Sequence, residues 1–335
     1  MHEFNYIKLK KGCFLSPLFL IFVISLSAQQ NVSWKDLAIK AGKMESMIYR
    51  TTPDTALKIY YQLPDNKKSD IKYPAIIWIH GGGWNAGSAS IFFEHAAYFA
   101  MRGVIGISIE YRLIGKNKTN TIIDEITDCK SAIRFIKLHA KELQIDTSKI
   151  VIAGDSAGGY LAAATITLDS LNDKSDDLSI SAVPNAVILY NPCVNMGVFP
   201  HVKNLFEQPI KLEPNSIDTI SFLQKNDAVI KKLSPLFNIH NNHTKALLLH
   251  GLNDKVIYPE QSEQFVNEMN KNGNQARLIL LPDTRHAFVV PHYTASEEKV
   301  INAVLDADLF LISLGYLSGK PNLVTSNDPK WLIRK

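Results

Sequence analysis

Cysteine is scarce in this sequence, with three among 335 residues. So few thiols exclude a small disulfide scaffold, whose stability depends on several cross-links. One of them, Cys13, lies in an N-terminal segment that we expect to be removed. Cys129 and Cys193 each stand in an apolar pattern, which favours buried free thiols over the alternative, a disulfide between them.

Clustered charge of one sign is also missing. The chain has 36 Lys and Arg against 32 Asp and Glu, a net charge of +4, and no basic stripe. A nucleic-acid surface needs clustered Lys and Arg because it must neutralise phosphates. We therefore predict no nucleic-acid partner. The composition is 46% apolar, which is enough for a large globular core.

Long apolar runs are absent except at residues 14–26, where three lysines precede the run and small residues follow it. This order is typical of an export signal. The run is shorter than the roughly 20 residues that a membrane span needs, so an uncleaved anchor is the weaker alternative. We predict a signal peptide at residues 1–28 and a periplasmic or secreted protein without stable membrane insertion. Residues 29–335 are expected to form a single domain.

After residue 29, short β-branched runs alternate with longer amphipathic stretches. This alternation predicts an α/β fold with a mostly parallel sheet covered by helices on both faces. The expected strands are residues 55–62, 75–80, 104–111, 150–153, 186–190, 246–250 and 276–281. The expected helices are residues 92–102, 122–139, 159–168, 259–272 and 296–314.

Residues 194–235 interrupt this alternation. They include four prolines and show weak periodicity. A connection of this length inside a compact fold is usually a functional lid or a cap. We therefore predict a small cap insertion here.

A candidate nucleophile stands in the motif Gly-Asp-Ser-Ala-Gly at residues 154–158, directly after an apolar strand and at the start of a helix. Small residues on both sides of Ser156 allow the sharp strand-to-helix turn that raises the hydroxyl above the sheet edge. The motif alone is common, and a glycine-rich connection needed only for packing is the structural alternative. Its position between strand and helix favours the catalytic interpretation.

A serine nucleophile needs a base that a carboxylate orients. In this layout the chain order is serine, acid, histidine. Asp254 follows the strand at residues 246–250, and His286 follows the strand at residues 276–281. Both positions are at carboxyl ends of strands, where such sheets assemble their sites. Asp283 is a rival acid, but it shares a loop with His286 and is poorly placed to reach the far ring nitrogen.

Three glycines follow His80, just after the strand at residues 75–80. Glycines let backbone N–H groups approach an oxyanion without side chains in the way. We predict that the N–H groups of Gly82, Gly83 and Ala157 form the oxyanion hole. A phosphate-binding loop is disfavoured because no Gly-Lys-Ser/Thr ending and no dinucleotide motif are present.

Neither a metal nor another cofactor is predicted. His240, His243 and His250 lie close in sequence but have no metal-binding spacing, so structural or surface roles are favoured. Trp84 and Tyr160 flank the oxyanion and nucleophile segments. We expect them to line a substrate pocket, with plain packing as the alternative.

These motifs resemble those of the α/β-hydrolase fold, and within it the esterases and lipases similar to hormone-sensitive lipase. The marks are His-Gly-Gly-Gly at residues 80–83 and Gly-Asp-Ser-Ala-Gly-Gly at residues 154–159. The segments at residues 110–113 and 128–136 look more like exported bacterial acetyl-xylan and feruloyl esterases. The resemblance implies a three-layer α/β-hydrolase sandwich, and the absence of Ala-Pro-Glu after residue 113 argues against a lipase proper.

The sequence thus predicts an exported serine carboxylesterase for short acyl or aryl esters, with polysaccharide esters as expected substrates. Three alternatives keep the same three side chains: an arylformamidase, an exopeptidase-like serine hydrolase, and a lipase-like esterase for longer acyl chains. A hydrolase fold used only for binding is a further alternative, which predicts a broken set of catalytic residues or an inaccessible serine.

Overall fold

The computed structural model describes residues 31–114, 119–198, 219–326 and 331. Its centre is an eight-stranded sheet with the order β2-β3-β5-β4-β6-β7-β8-β9. The strands are β2 Glu45–Thr51, β3 Ala56–Gln62, β4 Tyr73–Ile79, β5 Ile105–Ile109, β6 Ile145–Asp155, β7 Ala186–Tyr190, β8 Lys245–Gly251 and β9 Gln275–Leu281. A separate parallel pair joins β1 Val32–Ser33 to β10 Leu323–Val324.

Helices cover both faces of this sheet. They are α1 Trp34–Ala41, α2 Phe93–Met101, α3 Ile122–Leu138, α4 Ala140–Leu143, α5 Ala157–Thr167, α6 Thr219–Leu233, α7 Glu260–Lys271 and α8 Glu297–Ser313. The apolar cores of α3, α5 and α7 belong to one cluster, and those of α1, α2 and α8 to the other. The three layers of the predicted α/β-hydrolase sandwich are therefore present.

Strand β4 shows why the central strands are continuously apolar. Ile76 and Trp78 belong to one apolar cluster, while Ile77 and Ile79 belong to the other. Successive side chains of a strand point to opposite faces, so a strand covered on both sides has no position for a polar residue. The predicted apolar run is confirmed as a fully buried strand.

Helix α3 follows from its sequence in the same way. Its apolar stripe, predicted from spacings of three and four residues, is buried along its length. Thr121 and Asp124 form a capping box at its start, each side chain bonding to the other's backbone N–H. The cap and the stripe together set the start and the rotation of the helix.

The first part of the sheet differs from a purely parallel one. β2 pairs antiparallel with β3, and β3 pairs antiparallel with β5, whereas the remaining pairs are parallel. The sequence did not predict β2, because this edge strand is largely exposed and has no continuous apolar pattern. The eight-residue α1 is also short for a periodicity argument, and β6 begins at Ile145 rather than residue 150.

Several predictions concern segments that are described only in part. The signal peptide at residues 1–28 lies outside the described residues. Within the predicted cap at residues 194–235, residues 199–218 also lie outside the described residues. The later part of this segment contains α6, a helix that the sequence analysis did not predict. Cys129 and Cys193 are buried free thiols, as favoured. Among the residues that are described, no helix has the length and apolar content to cross a bilayer.

A buried ion pair connects two helices of one layer. Arg102, just after α2, donates from Nε to Asp308 Oδ2 at 2.7 Å and from Nη2 to Oδ1 at 3.1 Å. The hydroxyl of Tyr98 donates to the same Oδ2 at 2.6 Å. Because both charges are removed from water, loss of either one leaves the other uncompensated.

We expect Asp308→Asn to reduce the free energy of unfolding by about 3–5 kcal/mol, because Arg102 then stays buried without a counter-charge. Urea unfolding at pH 7 measures this. Glu268→Gln is the matched control, since Glu268 pairs with Lys271 at the surface at 3.4 Å. The control should cost about 0–1 kcal/mol. Equal losses in the two variants would contradict the assignment.

Candidate active site

Ser156 occupies the turn between β6 and α5, with a left-handed backbone φ of 54°. A non-glycine residue in this region is strained, and here the strain aims the hydroxyl away from the sheet. The turn is also tight. A Cβ added at Gly158 would lie 2.1 Å from the carbonyl oxygen of Ile79, so a side chain there would push the nucleophile turn off β4.

The structure brings the three predicted side chains together. His286 Nε2 lies 2.8 Å from Ser156 Oγ, and His286 Nδ1 lies 2.6 Å from Asp254 Oδ2. Ser156 and His286 are partly exposed, whereas Asp254 is buried. With Nδ1–H donating to Asp254, Nε2 is free to accept the serine proton. This is the geometry of a nucleophile, a base and an orienting acid.

The rival acid Asp283 is not part of this arrangement. Its residue is exposed, with a backbone φ of 48°. The nitrogen of His286 that needs a carboxylate is occupied by Asp254 instead. The sequence argument against a residue from the same loop is therefore supported by the geometry.

Hydrogen bonds hold Asp254 ionised. Its Oδ1 accepts the backbone N–H groups of Val256 at 2.8 Å and Ile257 at 3.0 Å. Burial alone raises the pKa of Asp254, but hydrogen bonds from His250 and His286 outweigh it and hold this pKa well below its usual range. The site therefore contains a carboxylate that can stabilise a positive charge on His286.

The two loops that carry the acid and the base are joined by their backbones. Asn253 N–H donates to the carbonyl oxygen of Thr284 at 2.9 Å. A Cβ added at Gly251 would lie 2.3 Å from that same oxygen. This close approach keeps the loops after β8 and β9 in register, so Asp254 and His286 meet.

The predicted oxyanion loop packs directly on the nucleophile turn. A Cβ added at Gly81 would be 3.1 Å from the Cβ of Ser156. Gly82 and Gly83 have left-handed φ values of 120° and 61°. Ala157 is the first residue of α5, where backbone N–H groups have no partner within the helix. The three proposed donors thus come from two segments in contact with each other.

Tyr111, which the sequence analysis did not select, supports the start of this loop. Its hydroxyl donates to the carbonyl oxygen of His80 at 2.7 Å, and the two rings stack at 4.4 Å. The position of Tyr111 shortly after β5, next to the loop after β4, was the available signal. Neighbouring parallel strands place such residues at the same edge of the sheet.

The sequence also predicts that Trp84 and Tyr160 line a substrate pocket. The two rings meet edge to face at 5.5 Å, and both side chains are almost completely buried. The Tyr160 hydroxyl donates to the carbonyl oxygen of Leu233, at the end of α6. Both residues therefore pack beneath the oxyanion and nucleophile segments, and a direct contact with substrate stays a prediction.

The three histidines weighed as metal ligands have separate surroundings. His240 faces Asp169 at 3.1 Å near the surface, His243 is exposed just before β8, and His250 is fully buried in β8. Within the described part of the chain, no three His, Cys, Asp or Glu side chains form a group that could hold a metal ion.

Asp155, beside the nucleophile, is a buried acid to which the sequence analysis assigned no role. Its Oδ1 accepts a hydrogen bond from Asn191 Nδ2 at 3.0 Å. Burial raises the pKa of Asp155 to about 6, although His286 and Asn191 act in the opposite direction. The sequence motif alone does not indicate that the Asp155 side chain is buried.

We expect Gly82→Ala to be more damaging than Gly83→Ala. A Cβ at Gly82 would lie 2.1 Å from the carbonyl oxygen of Ala86, whereas a Cβ at Gly83 meets nothing within 4 Å. Gly83→Ala should cost about 1–2 kcal/mol of stability from its left-handed backbone alone. Gly82→Ala adds a clash with backbone and should cost more. Thermal unfolding of the two variants tests the order, and the reverse order would contradict it.

The raised pKa of Asp155 predicts a pH-dependent stability. A carboxyl group with a higher pKa in the folded chain stabilises the fold below its unfolded pKa and loses this contribution as the pH rises through about 6. Relative to Asp155→Asn, the wild type should lose about 1–3 kcal/mol of unfolding free energy between pH 4 and pH 8. Urea unfolding across this range measures the difference, and two parallel curves would show that Asp155 is not responsible.

Known proteins share this arrangement of sequence and fold. The family model BD-FAE matches residues 57–269, which is more than half of the chain. The probable carboxylic ester hydrolase LipM of Mycobacterium tuberculosis is 29% identical over 226 residues, which cover 64% of this chain and 49% of LipM. A probable isoprenylcysteine alpha-carbonyl methylesterase of Arabidopsis thaliana is 23% identical over 72% of this chain and 50% of its own length.

Among solved structures, esterase 2 of Thermogutta terrifontis phosphoramylated by tabun is similar, with a TM-score of 0.71 and 30% identity over 83% of this chain and 97% of that one. The propionate-bound form of this esterase gives a TM-score of 0.72 and 28% identity over 84% of this chain and 98% of that one. The chain spans about half the length of the curated relatives it matches. It belongs to the BD-FAE family and has the α/β-hydrolase fold of the hormone-sensitive-lipase-like esterases.

Proposed function

We propose that this protein is a serine carboxylesterase that uses Ser156, His286 and Asp254. The observation that carries the proposal is the hydrogen-bonded series from Ser156 Oγ to His286 and from His286 to Asp254, at 2.8 and 2.6 Å. The binding-only alternative predicts an inaccessible serine, whereas Ser156 is partly exposed. The esterase relatives support the same reaction class.

The mechanism follows from these contacts. Ser156 Oγ attacks the ester carbonyl while His286 Nε2 takes its proton, and Asp254 stabilises the imidazolium that forms. His286 then returns the proton to the leaving alcohol, which leaves an acyl group on Ser156. His286 then takes a proton from a water molecule as the water attacks this acyl-enzyme, and it returns that proton to Ser156 Oγ when the bond between Oγ and the acyl carbon breaks and the acid leaves. No metal or organic cofactor takes part in these steps.

The developing negative charge is stabilised by backbone donors. We assign the N–H groups of Gly82, Gly83 and Ala157 to this role, because the oxyanion loop packs against the Ser156 turn. Fixed donors of this kind contribute about 3–4 kcal/mol each to transition-state stabilisation. The N-terminus of α5 adds a favourable dipole at the same place.

The preferred substrates are esters of short acyl or small aryl acids. The related Thermogutta esterase 2 has been solved with propionate and with butyrate bound, which supports a short acyl group. A cavity of about 430 Å³ lies beside the oxyanion loop, and both polar residues such as His80 and Glu110 and the apolar Leu57 and Leu113 line it. The resemblance of residues 110–113 and 128–136 to acetyl-xylan and feruloyl esterases favours a carbohydrate leaving group, so we propose acylated polysaccharides over lipids.

We also propose that the protein is exported and loses residues 1–28. The lysines and apolar run of residues 1–28 match a signal peptide, and a polysaccharide substrate lies outside the cytoplasm. Expression in a Gram-negative host followed by N-terminal sequencing of the periplasmic fraction tests this. A mature chain beginning near residue 29 supports export, and an uncleaved chain in the cytoplasmic or membrane fraction contradicts it.

The reaction is tested with Ser156→Ala and a substrate panel. The mature protein, which begins at residue 29, should hydrolyse p-nitrophenyl acetate and butyrate, methyl ferulate or acetylated xylan in preference to p-nitrophenyl octanoate. Ser156→Ala should lower kcat by about 10⁴-fold or more, because the nucleophile is lost. Ser148→Ala, an exposed serine near the start of the same strand, is the matched control and should retain full activity.

Covalent labelling separates the nucleophile from a passive serine. Related esterase 2 has been solved phosphorylated by paraoxon. Paraoxon should add one diethylphosphoryl group to the wild type and to Ser148→Ala, and none to Ser156→Ala, as read by intact-protein mass. Octanoate preference would reassign the protein to the lipase-like alternative, and formamide hydrolysis to the arylformamidase alternative. An unlabelled wild type would overturn the mechanism.

A further inference from the structure

A second buried histidine touches the acid of the proposed catalytic residues. His250 lies in β8 and has no solvent exposure. Its Nε2 is 2.9 Å from the carbonyl oxygen of Ile257 and 3.3 Å from Asp254 Oδ2. Its Nδ1 is 2.7 Å from the hydroxyl of Ser262, in the first turn of α7. Both ring nitrogens are therefore engaged.

These partners fix the tautomer of His250. Both groups that face Nε2 are acceptors only, so Nε2 must carry a proton. This N–H donates to the carbonyl oxygen of Ile257, and the Asp254 carboxylate faces the same nitrogen at 3.3 Å. Nδ1 of the neutral ring is then an acceptor, which the Ser262 hydroxyl satisfies as donor. The side chain of Ser262 thus holds the ring in the orientation that presents N–H to Asp254.

The contacts of His250 reach Asp254 by two routes. One is direct, through Nε2 and Oδ2. The other passes through Ile257, whose carbonyl accepts from His250 while its own N–H donates to Asp254 Oδ1 at 3.0 Å. Oδ2 therefore lies between two imidazoles, His250 on one side and His286 on the other.

We propose that His250, oriented by Ser262, is a positioning residue for ester hydrolysis: it aims the Asp254 carboxylate at His286 and shares its negative charge. This inference rests on the proposed function. It places a serine and a histidine on each side of the Asp254 carboxylate. Ser156 and His286 connect to it by hydrogen bonds, and Ser262 and His250 by their mutual hydrogen bond and the 3.3 Å contact of His250 Nε2 with Oδ2. The buried acid Asp155 also interacts electrostatically with Asp254.

The sharing of charge has a direction. A carboxylate that loses one donor becomes a stronger acceptor for the donor that remains. Without His250, Asp254 would hold the His286 proton more tightly, so His286 would need a higher pH to act as the base. Asp254 would also lose its contact with the His250 ring. Ile257, whose N–H donates to Asp254, would lose the hydrogen bond from His250 to its carbonyl oxygen. The expected signature is a lower kcat with the acidic limb of the pH profile moved to higher pH.

The main test compares His250→Leu with His250→Gln. Leu fills similar space without a donor, whereas the Gln amide presents N–H near the position of Nε2. With p-nitrophenyl acetate, we expect His250→Leu to lower kcat by about 10- to 100-fold, as small misplacements of catalytic groups do. KM should stay within about twofold, because substrate binding is untouched. His250→Gln should recover to within about threefold of the wild-type kcat.

His139→Leu is the matched control. His139 is the residue after α3 and is partly buried. Its ring forms a hydrogen bond with the carbonyl oxygen of Phe135, in the preceding helix and away from Asp254 and His286. It should leave kcat, KM and the pH profile unchanged. If His250→Leu behaves like His139→Leu, or if His250→Gln is as impaired as His250→Leu, the positioning role is wrong and the ring only fills space.

Ser262→Ala keeps the test open if His250→Leu does not fold. We expect a smaller loss in kcat, unchanged KM, and a shift of the acidic limb in the same direction, because the ring loses its anchor. In the His250→Leu background the Ser262→Ala loss should disappear, since both act through one interaction. Wild-type kinetics in Ser262→Ala, or additive losses in the double variant, would contradict the proposed series.

Failure of the proposed function is distinguishable from failure of this inference. An active wild type with inactive Ser156→Ala and unaffected His250→Leu overturns the inference alone. If the wild type hydrolyses no ester, the proposed function fails, and proton NMR judges the geometry instead. The downfield resonance of His286 Nδ1–H should then move in His250→Leu and not in His139→Leu, and an unmoved resonance overturns the contact.

Discussion

The site depends on one buried carboxylate that remains charged. Asp254 is removed from water, and this alone would favour its neutral form. Two backbone N–H groups on Oδ1 and two imidazoles on Oδ2 compensate for the lost solvent. The carboxylate thereby keeps a fixed direction as well as its charge. A side chain so constrained can orient His286, and through it the Ser156 hydroxyl, without any rearrangement when the reaction begins.

The parallel part of the sheet supplies the frame for this constraint. The strands β4, β6, β8 and β9 end at the same edge, and the oxyanion loop, Ser156, Asp254 and His286 follow them in that order. β7 ends between β6 and β8, where Asn191 donates to Asp155 beneath the nucleophile. Residues 130 positions apart in sequence therefore meet because their strands are neighbours or near neighbours. The antiparallel strands β2 and β3 extend the sheet beyond β5, and Leu57 of β3 lines the cavity beside the oxyanion loop.

The sequence was informative where one local pattern had one physical cause. The continuous apolar run of β4, the stripe of α3 and the small residues around Ser156 each allow few structures, and each was predicted correctly. The exposed edge strand β2 and the short α1 lacked such a pattern and were missed. His250 shows a different limit. A histidine inside an apolar strand predicts burial, but only the fold reveals that its two nitrogens face Ser262 and Asp254.

Backbone strain is concentrated at the same edge as the chemistry. Of the eight non-glycine residues with left-handed φ among the described residues, five follow β4, β6, β7 and β9; they are Trp84, Ser156, Asn191, Asp283 and Ala287. Each such residue costs about 1–3 kcal/mol and persists only where its surroundings fix it. The surroundings here are the fully buried central strands, whose ends cannot move without disrupting the core. The sheet therefore supplies the rigidity that keeps His286 Nε2 at 2.8 Å from Ser156 Oγ, and the loops set the direction of the two side chains.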